Sequence, residues 1–496
     1  MNESNEPLTE GLRELAKNFR MIPVWKRLPQ GEKSAVEVFK ILKNLSRQCF
    51  ILESLEDAAL WGRYTFLGYD PKLEISCLNG VLTIKAGTTL RIETNDPASY
   101  VRQVIEDNKS PRIAELPPFS GGLVGYFSYD YVKYGEPELK LETDEDAGDS
   151  GFKDMDLMLF DKVIAWDHLR GEIILIINIK TDALEENYNR ARSELEYMAS
   201  VITNGKPADI PSLKIRSPFR ALFDEERYCG MVEKAKEHIR EGDIFQAVLS
   251  NQLEADIEGS LFETYRGLRK INPSPYMFYF SSDDIEIAGA SPETLIRLED
   301  GELFTFPLAG TRKRGSTPEE DKALEKELLS DPKELAEHNM LVDLGRNDLG
   351  RISEFSSVTV EKYLSIERFS HVMHIGSTVK SKILKDKGAL DAVAAALPAG
   401  TLSGAPKIRA CQIINELEGH KRGIYGGAIG YIALTGNMDT CIAIRIAWKK
   451  NNKVYVRSGA GIVADSVPEK EYQECKNKIQ AVINALEQAA SEGEAQ

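Results

Sequence analysis

Two pairs of glutamates, Glu334 with Glu337 and Glu471 with Glu474, stand three positions apart in a chain of 496 residues. On a helix that spacing puts both carboxylates of a pair on one face. If the two helices face each other, four carboxylates could hold Mg²⁺, a hard cation that takes oxygen ligands and keeps waters or binds substrate anions. Both pairs also follow a proline, Pro332 and Pro468. Proline suits the first helical turn, acids are favoured there by the helix dipole, and Asp331 with Glu334 could form a cap. Spacing alone leaves metal ligation and helix capping both open.

Two small-residue segments could meet an anion. Ala399 to Lys407 reads AGTLSGAPK and leads into a helix expected to run to about Leu417. Pro406 near its first turn, the free N–H groups of a helix start and the charge of Lys407 would suit an anionic group, or the loop is simply capped. In Ser458-Gly459-Ala460-Gly461 the absence of bulky side chains lets a ligand approach the backbone, or allows a bend between strands. Six cysteines are scattered without a C-x-x-C pair, which points away from a zinc site or disulfide framework and towards reduced thiols.

The elements that must position these residues follow from periodicity and turn chemistry. Lys72–Thr94 and Val163–Ile179 alternate around Asn79-Gly80 and Arg170-Gly171, which predicts two antiparallel hairpins. Thr143–Gly151 is an acidic stretch expected to be an exposed loop. A helix over Glu185–Thr203 precedes Asn204–Pro218, rich in proline, which reads as a linker and sets regions 1–215 and 220–490 apart. Beyond it come a helix near Asp224–Arg240 and a strand at Ile244–Ser250. Ala428–Leu434, Thr440–Trp448 and Lys453–Arg457 read as a meander, before a last helix at Pro468–Gln488. Hairpins with inserted helices favour an α+β fold.

Composition bounds the partners. With 62 basic and 78 acidic residues, the formal charge is −16, and no basic run offers a general surface for nucleic acid or an anionic membrane. At 42% hydrophobic the chain can bury a large core, and no apolar run approaches membrane-spanning length. The polar, acidic start Met1–Pro7 fits neither a secretory signal nor a transit peptide, so the expected compartment is the cytoplasm.

Read in order, the segments GDIFQAVLS from Gly242, NPSPYMFYF from Asn272, GASPE from Gly289, PLAGTR from Pro307, ELAEHNMLVDLGRND from Glu334, SHVMHIGSTV from Ser370, PAGTLSGAPK from Pro398, YGGAIGY from Tyr425 and RSGAGIVADSVPEKEYQECKNK from Arg457 form a series. The series resembles the chorismate-utilising enzymes, most closely the anthranilate synthase branch of that family, across nearly the whole chain. The resemblance implies a sandwich of two antiparallel sheets flanked by helices, with the active site in a cleft. It implies Glu337 and Glu474 as direct Mg²⁺ ligands, with Glu334 and Glu471 binding directly or through water. The ion and the N–H groups of Gly459, Ala460 and Gly461 would hold the ring carboxylate, and Tyr425 with Arg445 the enolpyruvyl carboxylate. Glu293 matches the general acid that removes the ring C4 hydroxyl. His374 and Thr401 match residues near the reacting part of the substrate, with His371 as the alternative histidine.

Two positions separate the branches of the family. Water-using relatives carry a lysine base where this chain has Gln246, and typical aminodeoxychorismate synthases carry a nucleophilic lysine where it has Ala309. With neither lysine present, ammonia must attack ring C2, the C4 hydroxyl must leave, and loss of pyruvate must give anthranilate. No G-x-C-x-G-x-Q segment carries a glutaminase cysteine, so a separate glutamine amidotransferase subunit is expected to supply the ammonia. Ile51-Leu52-Glu53-Ser54 resembles the family's feedback element, implying that Ser54, Pro275, Tyr276 and Met277 bind L-tryptophan as an inhibitor. The alternatives are an aminodeoxychorismate synthase component and a non-catalytic scaffold of the same fold.

Overall fold

The Asn79-Gly80 dipeptide turns the chain between strands Leu73–Leu78 and Val81–Ala86, with φ of 48° and 78° at the two turn residues. These are the positive angles a two-residue hairpin demands. Gly87 makes a second turn to Thr88–Glu93, so the first predicted hairpin is a three-stranded meander. Gly171 joins Lys162–Asp167 to Glu172–Lys180 in the second. The computed structural model describes residues 9–55, 62–139, 141, 151–368 and 372–494. His371 and, apart from Gly151, the acidic stretch 143–151 lie outside them.

Among the described residues the strands form two sheets, of 13 and 12 strands, with every pairing antiparallel. Phe50, Phe278 and Phe280 of the larger sheet and Leu123, Leu157 and Ile429 of the smaller share one core between the sheets. Cys49, Ile51, Met277 and Tyr279 alternate with those phenylalanines and point the other way. They meet Phe39, Leu195, Tyr265 and Val482, from helices Ala35–Leu42, Leu184–Asn204, Phe262–Ile271 and Pro468–Glu494. The result is the expected α+β sandwich with helices outside.

The regions drawn on either side of the 204–218 linker share both sheets. Strand Cys49–Glu53 pairs with Tyr276–Ser281, and Gly122–Phe127 pairs with Ala428–Ala433. The expected strand Thr440–Trp448 is in fact two. Met438–Ile442 belongs to the smaller sheet and Ile446–Lys450 to the larger, and the chain crosses between them at Arg445, where φ is 52°. The predicted meander is therefore split between the sheets, which brings Arg445 to their common end.

Candidate active site

A cleft of about 1020 Å³ opens at that end. Strand Gln246–Glu258, the Asn272–Pro275 turn, helix Pro332–Gly350 and the first turns of Pro468–Glu494 contribute its walls. Lining it are Glu293, His374, Thr401, Tyr425, Arg445, Gly459, Gly461, Glu337, Glu471 and Glu474, together with the two branch-separating positions Gln246 and Ala309.

Glu293 follows strand Glu286–Ser291, and Thr401 sits in a single 3₁₀ turn, Gly400–Leu402. The Thr401 hydroxyl donates to Glu293 Oε1 at 3.1 Å. Burial pushes the Glu293 carboxyl up to about 7, against the opposing pull of the Thr401 hydrogen bond and the Arg445 charge. A carboxyl at that value holds its proton near neutrality yet can release it, which suits a general acid. His374 Nδ1 lies 2.8 Å from the Gly310 carbonyl oxygen, so Nδ1 carries the hydrogen. Nε2 is then the basic nitrogen, and burial lowers the proton affinity of the ring, keeping it neutral as an acceptor.

The acids stand at the cleft mouth. Glu337 stays open to solvent, yet loss of surrounding water and the charges of Glu334 and Glu474 hold its carboxyl above the usual range. Glu471 is raised too, first by burial and then by Glu474. Oxygen donors that repel one another in this way fit a hard divalent cation. Among the described residues no three of the four carboxylates bring oxygens within 4.8 Å of one another. Glu334 departs from the expected set: it does not line the cleft, and Arg312 bonds it at 3.3 Å. Asp331 does cap this helix through the Lys333 and Glu334 N–H groups, so capping and cleft lining coexist on one helix.

Register decides which glycine N–H groups reach the cleft. Gly461 pairs with Val248 and Gly459 with Ser250. The Val248 N–H donates to the Ser403 carbonyl, and the Ser250 N–H to Glu418 Oε1. Both residues thus turn their backbone groups away from strand Lys453–Ile462, and in an antiparallel ladder their partners Gly459 and Gly461 turn theirs away as well. Ala460 instead uses its groups on Leu249 in the ladder and buries its methyl in a satellite core. A Cβ on Gly459 would lie 3.0 Å from the Tyr425 hydroxyl, and one on Gly461 only 2.5 Å from Gln246 Nε2, so glycine keeps this wall open. Lys407, expected to add charge at a helix start, is paired with Asp348 at 2.7 Å.

A second cavity of about 390 Å³ lies between the sheets and contains all four predicted feedback positions, Ser54, Pro275, Tyr276 and Met277. Its volume is in the range of small-molecule sites. The Tyr276 hydroxyl donates to Asp439 Oδ1 at 2.9 Å and meets Thr294 Oγ1 at 2.8 Å.

Sequence reasoning missed Lys333, Lys478 and Thr311, which also line the cleft. Lys478 pairs with Glu474 at 2.7 Å and reaches the Gly459 carbonyl at 3.1 Å. Its position four residues after Glu474 was the available signal. Asn272, which opens the NPSPYMFYF segment, accepts from Arg445 Nη1 at 3.2 Å.

The family model for chorismate binding enzyme matches residues 53–484, and the chain belongs to that family. Anthranilate synthase component 1 of Acetivibrio thermocellus is 44% identical over 493 residues, which is 97% of this chain and 99% of that protein. Its counterpart in Aquifex aeolicus is 42% identical, covering 96% of this chain and 97% of that protein. Among solved structures, anthranilate synthase component I of Streptococcus pneumoniae superposes with a TM-score of 0.73 at 40% identity, covering 92% of this chain and 99% of that one. The menaquinone-specific isochorismate synthase of Escherichia coli shares the fold, with a TM-score of 0.68 at 19% identity, 96% of this chain and 97% of that one.

Proposed function

We propose that this chain is the large, chorismate-binding subunit of an anthranilate synthase. The observation that carries the reading is the cleft itself: a near-neutral carboxylic acid, Glu293, faces a site with glutamine at 246 and alanine at 309. The lysines that the water-using and amine-nucleophile branches of the family carry at these two positions are absent, so on that resemblance the attacking nitrogen arrives as free ammonia. Ammonia attacks ring C2, the ring double bonds shift, and the C4–O bond breaks. Glu293 supplies the proton with which the hydroxyl leaves as water. Release of the C2 proton and cleavage of the bond to the enolpyruvyl oxygen then give pyruvate and the aromatic ring. Thr401 orients the Glu293 carboxyl, and neutral His374 stands as a proton acceptor near the ring.

Mg²⁺, when bound by Glu337, Glu471 and Glu474, supplies positive charge for the ring carboxylate. The outward N–H groups of Gly459 and Gly461 hold the same group, while Tyr425 and Arg445 take the enolpyruvyl carboxylate. A dianion entering a chain of formal charge −16 needs cations at both ends. Ammonia comes from a separate glutamine amidotransferase subunit. Six unpaired thiols suit a reducing compartment, the cytoplasm. Chorismate consumption measured with Mg²⁺ should require ammonium, whereas isochorismate formed without ammonium would make water the nucleophile and overturn the assignment.

The second cavity binds L-tryptophan as feedback inhibitor, its indole set against Pro275 and Tyr276, with Met277 meeting it from the strand while its side chain faces the outer helices. Ser54→Ala is expected to raise the tryptophan concentration for half inhibition about five-fold, the effect of one lost hydrogen bond, at an unchanged uninhibited rate. Unchanged inhibition would remove Ser54 from that site.

A further inference from the structure

Behind the cleft lies a buried ion cluster that the reaction above does not use. Arg422, Arg457 and Glu418 each expose no more than 1% of their side chains. Arg457 donates to Ser250 Oγ at 2.8 Å, to the Lys421 carbonyl at 2.9 Å and to Glu418 Oε2 at 2.7 Å. Arg422 donates to the Leu402 carbonyl at 2.6 Å, to the Val248 carbonyl at 2.5 Å and to both Glu418 oxygens, and its guanidinium lies 4.6 Å from the centre of the Tyr129 ring. Ser250 adds its N–H and hydroxyl to Glu418 Oε1.

Leu402 and Val248 line the cleft, and Ser250 lies on the same strand as Val248. Leu402 follows Thr401, Val248 and Ser250 are on the strand that begins at Gln246, and Arg457 is two residues before Gly459. Tyr425, three residues after Arg422, feels the charges of both arginines. Both guanidinium groups are occupied by protein acceptors, so they act on a ligand through these walls and through their field.

The charges do not cancel. Burial works against ionisation of Glu418, but Arg422 and Arg457 outweigh it and hold its carboxyl below the ordinary value. Two guanidinium ions on one carboxylate leave one positive charge in a medium where an unmatched charge is costly. Asp130, the other acid whose charge reaches Arg457, stands outside this hydrogen-bonded trio on the Gly423 N–H, and its charge opposes that excess.

We propose that the Arg422–Glu418–Arg457 cluster is a positioning device for the anionic substrate. It clamps the three walls that carry Thr401, Gln246 and Gly459, and it sets two guanidinium groups against one carboxylate behind Tyr425, a field that favours an incoming carboxylate. The inference rests on the chorismate reading.

The test compares Arg422→Gln with Glu418→Gln, reading KM for chorismate at saturating ammonium and Mg²⁺ alongside Tm. Both variants lose clamp bonds and should lose Tm. Removing the guanidinium charge should raise KM about ten-fold, whereas removing the carboxylate charge should lower KM several-fold. Arg422→Lys keeps the charge without the fork, and should hold KM near wild type at reduced Tm, which supplies the comparison if Arg422→Gln does not fold. KM rising in all variants in step with the loss of Tm, with wild type active on chorismate, would overturn this inference alone. A wild-type chain that does not consume chorismate would overturn the functional reading and this inference with it.

Discussion

Glu293→Gln should lower kcat by about 10²- to 10⁴-fold, the usual worth of a positioned general acid, with little change in KM for chorismate. Glutamine keeps the shape of the side chain and can still accept from Thr401, so the cleft should remain intact while the transferable proton is gone. The pH dependence has a definite sign. With its carboxyl at about 7, Glu293 is protonated and competent below that pH and loses its proton as pH rises through it. Wild-type kcat, compared at equal free ammonia, should therefore fall above about 7. The same shift predicts a stability cost. The folded state holds this proton more tightly than the unfolded chain does, so the group's contribution to stability is complete below the ordinary glutamate value of about 4.3 and is lost as pH rises to about 7. Glu293→Gln should accordingly raise Tm at pH 8 even as kcat falls. A variant with normal kcat would remove Glu293 from the reaction.

Glu337→Gln should abolish turnover at ordinary Mg²⁺ concentrations and weaken binding of the ion itself, measured by calorimetry on the chain without substrate. The carboxyl is raised by lost water and by Glu334 and Glu474, so it is a strained anion when no cation is present. Its removal should leave Tm of the metal-free chain unchanged or higher. Glu334→Gln should cost less, because Glu334 is tied to Arg312 and stands off the cleft. Equal losses from the two variants would contradict this division of roles, and normal Mg²⁺ binding by Glu337→Gln would contradict the metal assignment.

Local features of the fold were legible in the sequence because local chemistry fixes them. Asn79-Gly80 and Gly171 set their turns, and helices Leu184–Asn204 and Glu225–Glu241 follow apolar periodicity, the second with Asp224 as its cap. Non-local pairing was not legible. The proline-rich 204–218 stretch marks a change of composition, but nothing near it in sequence says that Glu53 will pair with Met277 or Phe127 with Ala428. The break at Arg445 was hidden because apolar residues continue through it and a positive φ is uncommon outside glycine. Site residues were legible as an ordered set of segments rather than singly. What that order could not supply was register: Gly459 and Gly461 present N–H groups to the cleft, and Ala460 does not, because of hydrogen bonds made by Val248 and Ser250 on the neighbouring strand. Lys478 was missed for a related reason, since its role depends on Glu474 and the Gly459 carbonyl being brought to it.

The most direct test of the central claim is to identify the products that the purified chain makes from chorismate with Mg²⁺ and ammonium at alkaline pH, by fluorescence and mass. Anthranilate and pyruvate in equal amounts, both lost on chelation of the metal, is the result expected. Aminodeoxychorismate would contradict the argument from Ala309, and no product would make the chain a non-catalytic member of its family.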